Sequence, residues 1–322
     1  MSNRDNNPRV ADPSPRVSVA IVAYQHGDFI ATAVESALDQ QYDNLHVVVA
    51  DDNSTDATLD VLADLQRRYR DRLVVVANSD SRSVARNVNR ALARCDGDYV
   101  VLFDGDDYLL PGKIEAQVAA FAEDPRLNVS FHAAEIFDTD TREITGVIGD
   151  PRSVDHTCAA DFITLGNFMP LCCTMMRRSA MPARGVHPAL LYVGDWILLI
   201  ETTHGGVVKG IDGVYARYRR HDGAITSLAY RDSPVWRDSL KTMNILEREY
   251  PDLAPYCDQG RAFVLRWEAF RRIKGNHAVY ALPLLLRALR YQPRRVDLWR
   301  TVASVCARVP LVALSRTRRA ST

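Results

Sequence analysis

The sequence predicts an α/β fold: an open, mainly parallel sheet with helices on both faces, followed by a helical C-terminal extension. Two observations carry this. Between residue 17 and about residue 131, short runs that are apolar on both faces alternate with segments of helical spacing, the pattern of a parallel sheet covered on each side. Beyond about Pro234 the spacing is helical to the end. Residues 1–15, rich in Asn, Asp, Pro and Arg, read as a disordered arm. From Val17, VSVAIVA is the first strand, DFIATAVESALDQQ a helix, and LHVVVA a second buried strand. A helix from Ala57 to Tyr69, the strand LVVVA from Leu73, a helix from Val84 to Arg94 and the strand YVVLF from Tyr99 continue the alternation. A further helix follows Pro111, a residue suited to helix starts. Periodicity weakens between Ala133 and Thr164, where a long lid or binding segment is expected. An apolar segment from Leu171 to Met176, a helix from Asp195 toward His204, and strands Val207 to Ile211 and Val214 to Tyr218 complete this part.

Composition excludes several classes. With 322 residues, 47% hydrophobic and 25% charged, the chain is neither disordered nor collagenous and can bury a sizeable core. No run approaches the roughly 18 apolar residues of a spanning helix, and the N-terminus has no apolar signal core, so a cytoplasmic protein is expected. Six Cys without a C-x-x-C pair suggest neither a disulfide scaffold nor a zinc site. Net charge is zero but unevenly spread. From Arg261 onward, 13 Arg and one Lys oppose only Glu268 and Asp297, a balance of +12; the first 260 residues hold 26 basic and 38 acidic residues, or −12.

Three strands end in polar clusters, and in an open α/β sheet all three face one crevice. The first ends in Ala23-Tyr24-Gln25-His26-Gly27-Asp28, the second in Asp51-Asp52-Asn53-Ser54-Thr55-Asp56, the fourth in Asp104-Gly105-Asp106-Asp107. Polar side chains at a strand end cap the next helix, as the Ser54 hydroxyl or the Asp56 carboxylate would, or accept an N–H from a ligand ring, as Asp52 would. The Asp104 turn gathers three acids whose repulsion a hard divalent cation offsets; capping of the following helix is the alternative use. No EF-hand register, G-x-G-x-x-G, P-loop or G-x-S-x-G is present, which leaves a carboxylate-rich sheet edge able to hold a metal and a diphosphate.

The stretch VSVAIVAYQHGDFIATAVESALDQQYDNLHVVVADDNSTDATLDVL, followed by SVARNVNRALARCDGDYVVLFDGDDYLLPGKIE, resembles the nucleotide-sugar-binding half of the inverting family 2 glycosyltransferases with a GT-A, Rossmann-like fold. The resemblance covers about residues 16–228. It implies a catalytic domain over 16–230, with a nucleotide-binding half (16–131) and an acceptor-binding half (132–230), followed by a basic helical region (231–322). It implies that Asp52 binds the uracil ring, that Tyr24 lies against the base beside Ala23, and that Arg86 contacts the nucleotide. Asp104 and Asp106, flanking Gly105, would hold the nucleotide's diphosphate and Mn²⁺ or Mg²⁺, with Asp107 as support. Gly194-Asp195-Trp196 stands where the family carries a Glu-Asp pair, so Asp195 is the implied catalytic base and Gly194 a departure. Tyr218-Arg219-Arg220-His221-Asp222-Gly223 matches the loop that closes on the donor, implying Arg219 and Arg220 for the diphosphate and His221 for the metal. Gln25-His26 departs from the family's Asn in the first turn. The implied reaction is a single in-line displacement with inversion, moving a sugar from a nucleoside-diphosphate sugar to a saccharide or lipid-linked acceptor, in cell-surface polysaccharide or glycolipid synthesis. A carboxylate accepting the base N3–H suits UDP and, equally, dTDP.

Other residues read structurally. His132 is expected to be a satisfied buried histidine, and Cys172, Cys173, Met175 and Met176 to be core. The basic tail alternates apolar clusters, Leu284 to Leu286 and Val309 to Leu314, with Arg, as a helix at an anionic membrane surface does. Contact with the acidic body and a homo-oligomer interface are alternatives. Nucleic acid is disfavoured because the basic residues alternate with aliphatic runs rather than aromatic platforms. A non-catalytic sugar-nucleotide binder is the remaining reading.

Overall fold

The computed structural model describes residues 14–79, 83–153, 157–167, 169–221, 235–275 and 277–308. Most of the N-terminal arm, the Asp222-Gly223 end of the basic loop and the Val309 to Leu314 cluster lie outside the described residues.

The first half forms as its pattern dictates. β1 (Val17–Ala23) and β2 (Leu45–Asp51) are buried along their whole length, and α1 (Ile30–Leu38) packs Ile30, Ala33, Val34 and Ala37 on them. α2 (Thr58–Arg68), β3 (Leu73–Ala77), α3 (Val84–Leu92) and β4 (Tyr99–Asp104) follow. Val19, Ile21, Val47, Val49, Val101 and Phe103 are fully buried, each contributing about 1.5–3 kcal/mol. β1 pairs in parallel with both β2 and β4, and β2 with β3, so the strand order reverses at β1, the topological switch where open sheets bind ligands. Register sets the site. Ala23 lies opposite Asp51 and Val22 opposite Asp104, which brings all three polar strand ends to one edge.

The second half adds antiparallel pairings. After β5 (Tyr108–Leu109) and α4 (Lys113–Glu123), β6 (Leu127–Asp138) runs well beyond the expected loss of pattern at Ala133, then turns into β7 (Ile144–Ile148). α5 (Ala159–Leu165) also lies within the segment read as a lid. That expectation is corrected: β7 pairs on one side only, so its alternation is weak in the sequence. β8 (Thr174–Arg177) inserts antiparallel between β4 and β6, and α6 (Gly194–Thr203) follows it. The two strands expected at 207–211 and 214–218 are one, β9 (Val207–Arg220), which bends at Gly213 (φ 123°), a conformation L residues rarely adopt. β9 is parallel to β6 and antiparallel to β5.

Beneath this half lies a buried lysine amine. Lys113 Nζ donates to Gln117 Oε1 (2.7 Å), His132 Nε2 (2.9 Å) and Thr174 O (3.3 Å), while His132 Nδ1 donates to Ala133 O. His132 is thus the satisfied histidine the sequence suggests. Burial pushes the Lys113 ammonium down to about 7 and the His132 imidazole well below its ordinary range. Between about pH 7 and 10.5 the unfolded chain therefore holds a proton at position 113 that the folded chain lacks, so this group's contribution to stability rises with pH across that window. In a urea-unfolding series, the stability of wild type minus that of Lys113→Met is expected to be flat below pH 7 and to climb toward pH 10. A pH-independent difference would show that Lys113 is protonated as usual.

The C-terminal region is helical, as predicted: α7 (Val235–Glu249), α8 (Ala254–Lys274), α9 (Leu282–Tyr291) and α10 (Val296–Arg308). Leu265 and Ala269 of α8 pack with Leu282, Leu284, Leu285, Leu289 and Leu298 in a second core. The sequence assigned Leu284 to Leu286 to a surface-seeking cluster; Leu284 and Leu285 are instead buried, and only Leu286 is exposed. Among the described residues, no helix is long and apolar enough to cross a membrane, and all six cysteines are free.

Candidate active site

The first two turns are locked together. Gln25, in the left-handed region (φ 57°), accepts at Oε1 from the Thr55 and Asp56 amides and donates through Nε2 to Thr55 Oγ1. The Gln25 amide donates to Ser54 Oγ, His26 N to Thr58 Oγ1 and Gly27 N to Asp56 Oδ2. Gln25 thus takes on a bridging role between the turns. Asp51 accepts from the Ser54 amide and hydroxyl, and Asp56 caps α2 at Thr58 N, so these acids stabilise the turn. Asp52 is buried at the strand end, its amide bonded to Ala23 O, and Tyr24 stands exposed beside it. Arg86 is exposed on the first turn of α3, whose N-cap is Ser83. The next residue, Asn87, was not singled out from the sequence. It is buried, donates to Ala50 O (2.9 Å) and Ala23 O (3.4 Å) and accepts from Asn78 Nδ2, tying α3 to the ends of β1 and β2. Asn87→Leu would remove the side-chain donor to Ala50 O and the acceptor of the Asn78 amide, while Ala23 O keeps the Asp52 amide; a loss of about 1–3 kcal/mol is expected by thermal denaturation.

The Asp104 turn is built against β9. Gly105 N donates to Val22 O (2.8 Å), and a Cβ at Gly105 would strike His26 and Ile30. Asp106 Oδ2 accepts from His221 Nε2 at 3.0 Å. Arg219 donates from Nε to Asp106 O (2.7 Å) and from its amide to Asp107 Oδ1 (2.8 Å), with its guanidinium over Phe29 and Phe137. Arg219 therefore supports the turn from behind, whereas Arg220 is exposed at the strand end. Asp107 is buried, and desolvation together with the neighbouring Cys172 thiol and Asp106 carboxylate pushes its carboxyl well up.

Asp195 lies on the first turn of α6, where its carboxylate takes the helix's own amides at Asp195 and Trp196, and Trp196 anchors the turn by donating to Phe162 O. Asn167 Nδ2 donates to Asp195 Oδ2 at 2.7 Å; the spacing of the sequence gave no sign of this partner. Desolvation nevertheless raises the Asp195 carboxyl above its ordinary value. Asp104, Asp107, Asn167 and Asp195 line one cavity of about 330 Å³, whose other wall is apolar, with Val84, Ile148, Met169, Leu171 and Val186. Asp104 keeps an edge open to this cleft, yet enclosure, then the charges of Asp106 and Asp195, push its carboxyl up to about 8. Removing one charged hydrogen bond from Asp195 by Asn167→Ala should lower turnover about tenfold without changing nucleotide affinity, measurable by steady-state kinetics beside calorimetry.

The donor set suits a hard divalent cation. Two carboxylates, Asp104 and Asp106, with the His221 imidazole are oxygen-rich ligands of the kind Mg²⁺ or Mn²⁺ takes alongside phosphate oxygens, and mutual repulsion already disfavours ionisation of Asp104. Among the described residues, no three or more His, Cys, Asp or Glu side chains are gathered so as to hold a metal ion.

The sheet, its switch point and the carboxylate cleft define a nucleotide-sugar transferase of the GT-A class. Residues 18–183 match the model of the glycosyl transferase family 2, and the chain belongs to that family. It is 25% identical over 230 residues to the UDP-Glc:alpha-D-GlcNAc-diphosphoundecaprenol beta-1,3-glucosyltransferase WfaP of Escherichia coli, covering 71% of this chain and 87% of that one. It is 28% identical to the putative teichuronic acid biosynthesis glycosyltransferase TuaG of Bacillus subtilis (76% and 93% covered). It is 33% identical to the putative glycosyltransferase EpsE of Bacillus subtilis over 38% of this chain, spanning 45% of that relative's length. Among solved structures, S. aureus TarS 1-349 in complex with UDP-GlcNAc superposes with a TM-score of 0.59 at 19% identity, covering 91% of this chain and 92% of that one. The mannosyltransferase PcManGT from Pyrobaculum calidifontis, in complex with GDP-Man and Mn2+, gives 0.52 at 17% identity, with 94% and 86% covered. At these identities the two structures show the shared fold.

Proposed function

We propose that this enzyme transfers a glycosyl group from a uridine diphosphate sugar to an acceptor hydroxyl, by a single displacement that inverts the anomeric carbon. The observation that carries the reading is the shared cleft: Asp195, at the start of α6, faces the Asp104 turn across one cavity. In this reading Asp52 accepts the N3–H of the base, Tyr24 offers its ring to it, Arg86 contacts the nucleotide and Arg220 the diphosphate; the burial of Asp52 at the strand end and the exposure of Tyr24, Arg86 and Arg220 support it. Asp104 and Asp106, with His221 beside them, would hold Mn²⁺ or Mg²⁺ together with the donor's phosphate oxygens, and the ion would neutralise charge on the departing diphosphate. Arg219 and Asp107 keep that turn in place. Asp195 takes the proton of the attacking hydroxyl, which requires its oxygen within about 3 Å of that hydroxyl, and Asn167 fixes which carboxylate oxygen is presented. A raised carboxyl pKa makes Asp195 a better proton acceptor than an ordinary aspartate.

The acceptor is read as a lipid-linked saccharide in cell-surface polysaccharide synthesis, supported by the diphosphoundecaprenol-linked substrate of WfaP, by the putative role of TuaG in teichuronic acid biosynthesis and by the apolar wall of the cleft. Titration calorimetry of UDP, dTDP and GDP with and without Mn²⁺ tests the donor reading. Metal-dependent binding of UDP but not GDP is expected; failure of all three to bind with metal present would overturn it.

A further inference from the structure

The C-terminal helices expose large apolar side chains that neither core absorbs. On α8, Trp267 and Phe270 are 50% and 43% exposed; on α10, Val296 and Trp299 are 60% and 52% exposed. Each pair is three residues apart, so each lies along one face of its helix. Arg266 joins the two helices, its Nη1 3.3 Å from Asp297 Oδ2 at the start of α10. The Trp299 indole N–H is already satisfied by Pro293 O (2.9 Å), so the ring is available as an apolar surface. Exposed Arg294 and Arg300 flank the α10 residues. The face also begins beside the cleft. Phe263, one turn before Trp267, packs on Gly166 (φ 83°), where a Cβ would run into its ring, and Gly166 immediately precedes Asn167, the partner of Asp195.

We infer that this face of α8 and α10 docks on an anionic lipid surface, which would present a lipid-linked acceptor to the cleft. The inference extends the acceptor reading above and stands on separate observations. Charge selects the occupant. The last 62 residues carry +12, which attracts an anionic bilayer and repels a second copy of the same face. Exposed Trp beside Arg is the composition of an interfacial helix, the ring at the headgroup level and the cation against lipid phosphate. Trp267 and Phe270 on α8, and Val296 and Trp299 on α10, are two exposed apolar pairs on helices joined through Arg266 and Asp297.

The test is co-sedimentation of the full-length chain, without donor, with phosphatidylcholine vesicles containing or lacking phosphatidylglycerol. Binding is expected only with phosphatidylglycerol, weakening as salt rises. Arg294→Gln/Arg300→Gln should lower the partition coefficient roughly thirtyfold, about fivefold per arginine. Trp267→Ala/Trp299→Ala should abolish binding while UDP titration is unchanged, which separates a failure of docking from a failure of the donor site. Quenching of wild-type tryptophan fluorescence by brominated lipid checks the same contact without a variant. Binding that ignores phosphatidylglycerol, vesicle binding unaltered in both double variants, a dimer that the tryptophan variant dissociates, or salt-sensitive RNA binding in place of vesicle binding would each overturn the inference.

Discussion

Asp195→Asn is expected to lower turnover by about three orders of magnitude while leaving UDP affinity within a factor of two of wild type. The amide keeps the size and hydrogen-bonding position of the carboxylate beside Asn167, but it cannot take the acceptor's proton, and a positioned base contributes roughly 10²–10⁴-fold. The nucleotide contacts proposed for Asp52, Tyr24 and Arg86 lie on other elements and are untouched. The pH profile supplies the second readout. Desolvation raises the Asp195 carboxyl above the ordinary aspartate range, and a base acts only when ionised, so wild-type turnover should rise with pH through a midpoint above that range. The residual activity of the variant should lack this limb. Stability should move the other way. Because the folded pKa exceeds the unfolded one, the folded chain binds more protons in that window, and stability falls as pH rises through it. Above the window wild type carries the full cost of a desolvated carboxylate, so the variant's melting temperature at pH 8 should equal or exceed that of wild type. Turnover within tenfold of wild type would mean that the base lies elsewhere.

The parallel half of the sheet was legible because buried parallel strands write themselves as unbroken β-branched runs, and VSVAIVA, LHVVVA and YVVLF are such runs. Their common polar edge followed from topology alone. The second half was harder to read where strands have one partner or an exposed face. β7 carries exposed Ile144 and Val147, and β9 alternates too irregularly through Gly213 for its length to show. Partners that depend on tertiary approach were invisible. Asn87 reaches carbonyls 37 and 64 residues away, and Asn167 meets Asp195 across 28 residues; nothing in local spacing marks either. The Arg219 side chain illustrates a further limit. Sequence supplies a cation in the right loop, but only the fold shows it stacked on Phe29 and bonded to the Asp106 carbonyl. Likewise the amphipathic reading of the tail placed its apolar surface at Leu284 to Leu286 and Val309 to Leu314; helix packing buries Leu284 and Leu285 and leaves Leu286 outside, the second cluster lies outside the described residues, and Trp267 and Trp299 are exposed as well.

Asp106→Ala should reduce the effect of Mn²⁺ on UDP affinity by on the order of a hundredfold, a larger loss than the tenfold expected of His221→Ala. The difference follows from chemistry and placement. A carboxylate brings charge as well as a lone pair to a hard cation, whereas the imidazole brings only a neutral nitrogen. Asp106 also accepts the His221 hydrogen bond at 3.0 Å, so its removal frees the imidazole it orients, while removing His221 leaves the Asp106 backbone held by Arg219. Calorimetry across a Mn²⁺ series separates this from general damage. If Asp106 acts through the cation, the variant's UDP affinity without metal should stay near wild type, and only the metal-dependent gain should disappear. If Asp106 merely shapes the turn through His221, affinity should fall equally with and without metal, and the two variants should match. Equal responses of the two variants to Mn²⁺ would remove Asp106 from the metal shell and leave Asp104 as its sole carboxylate.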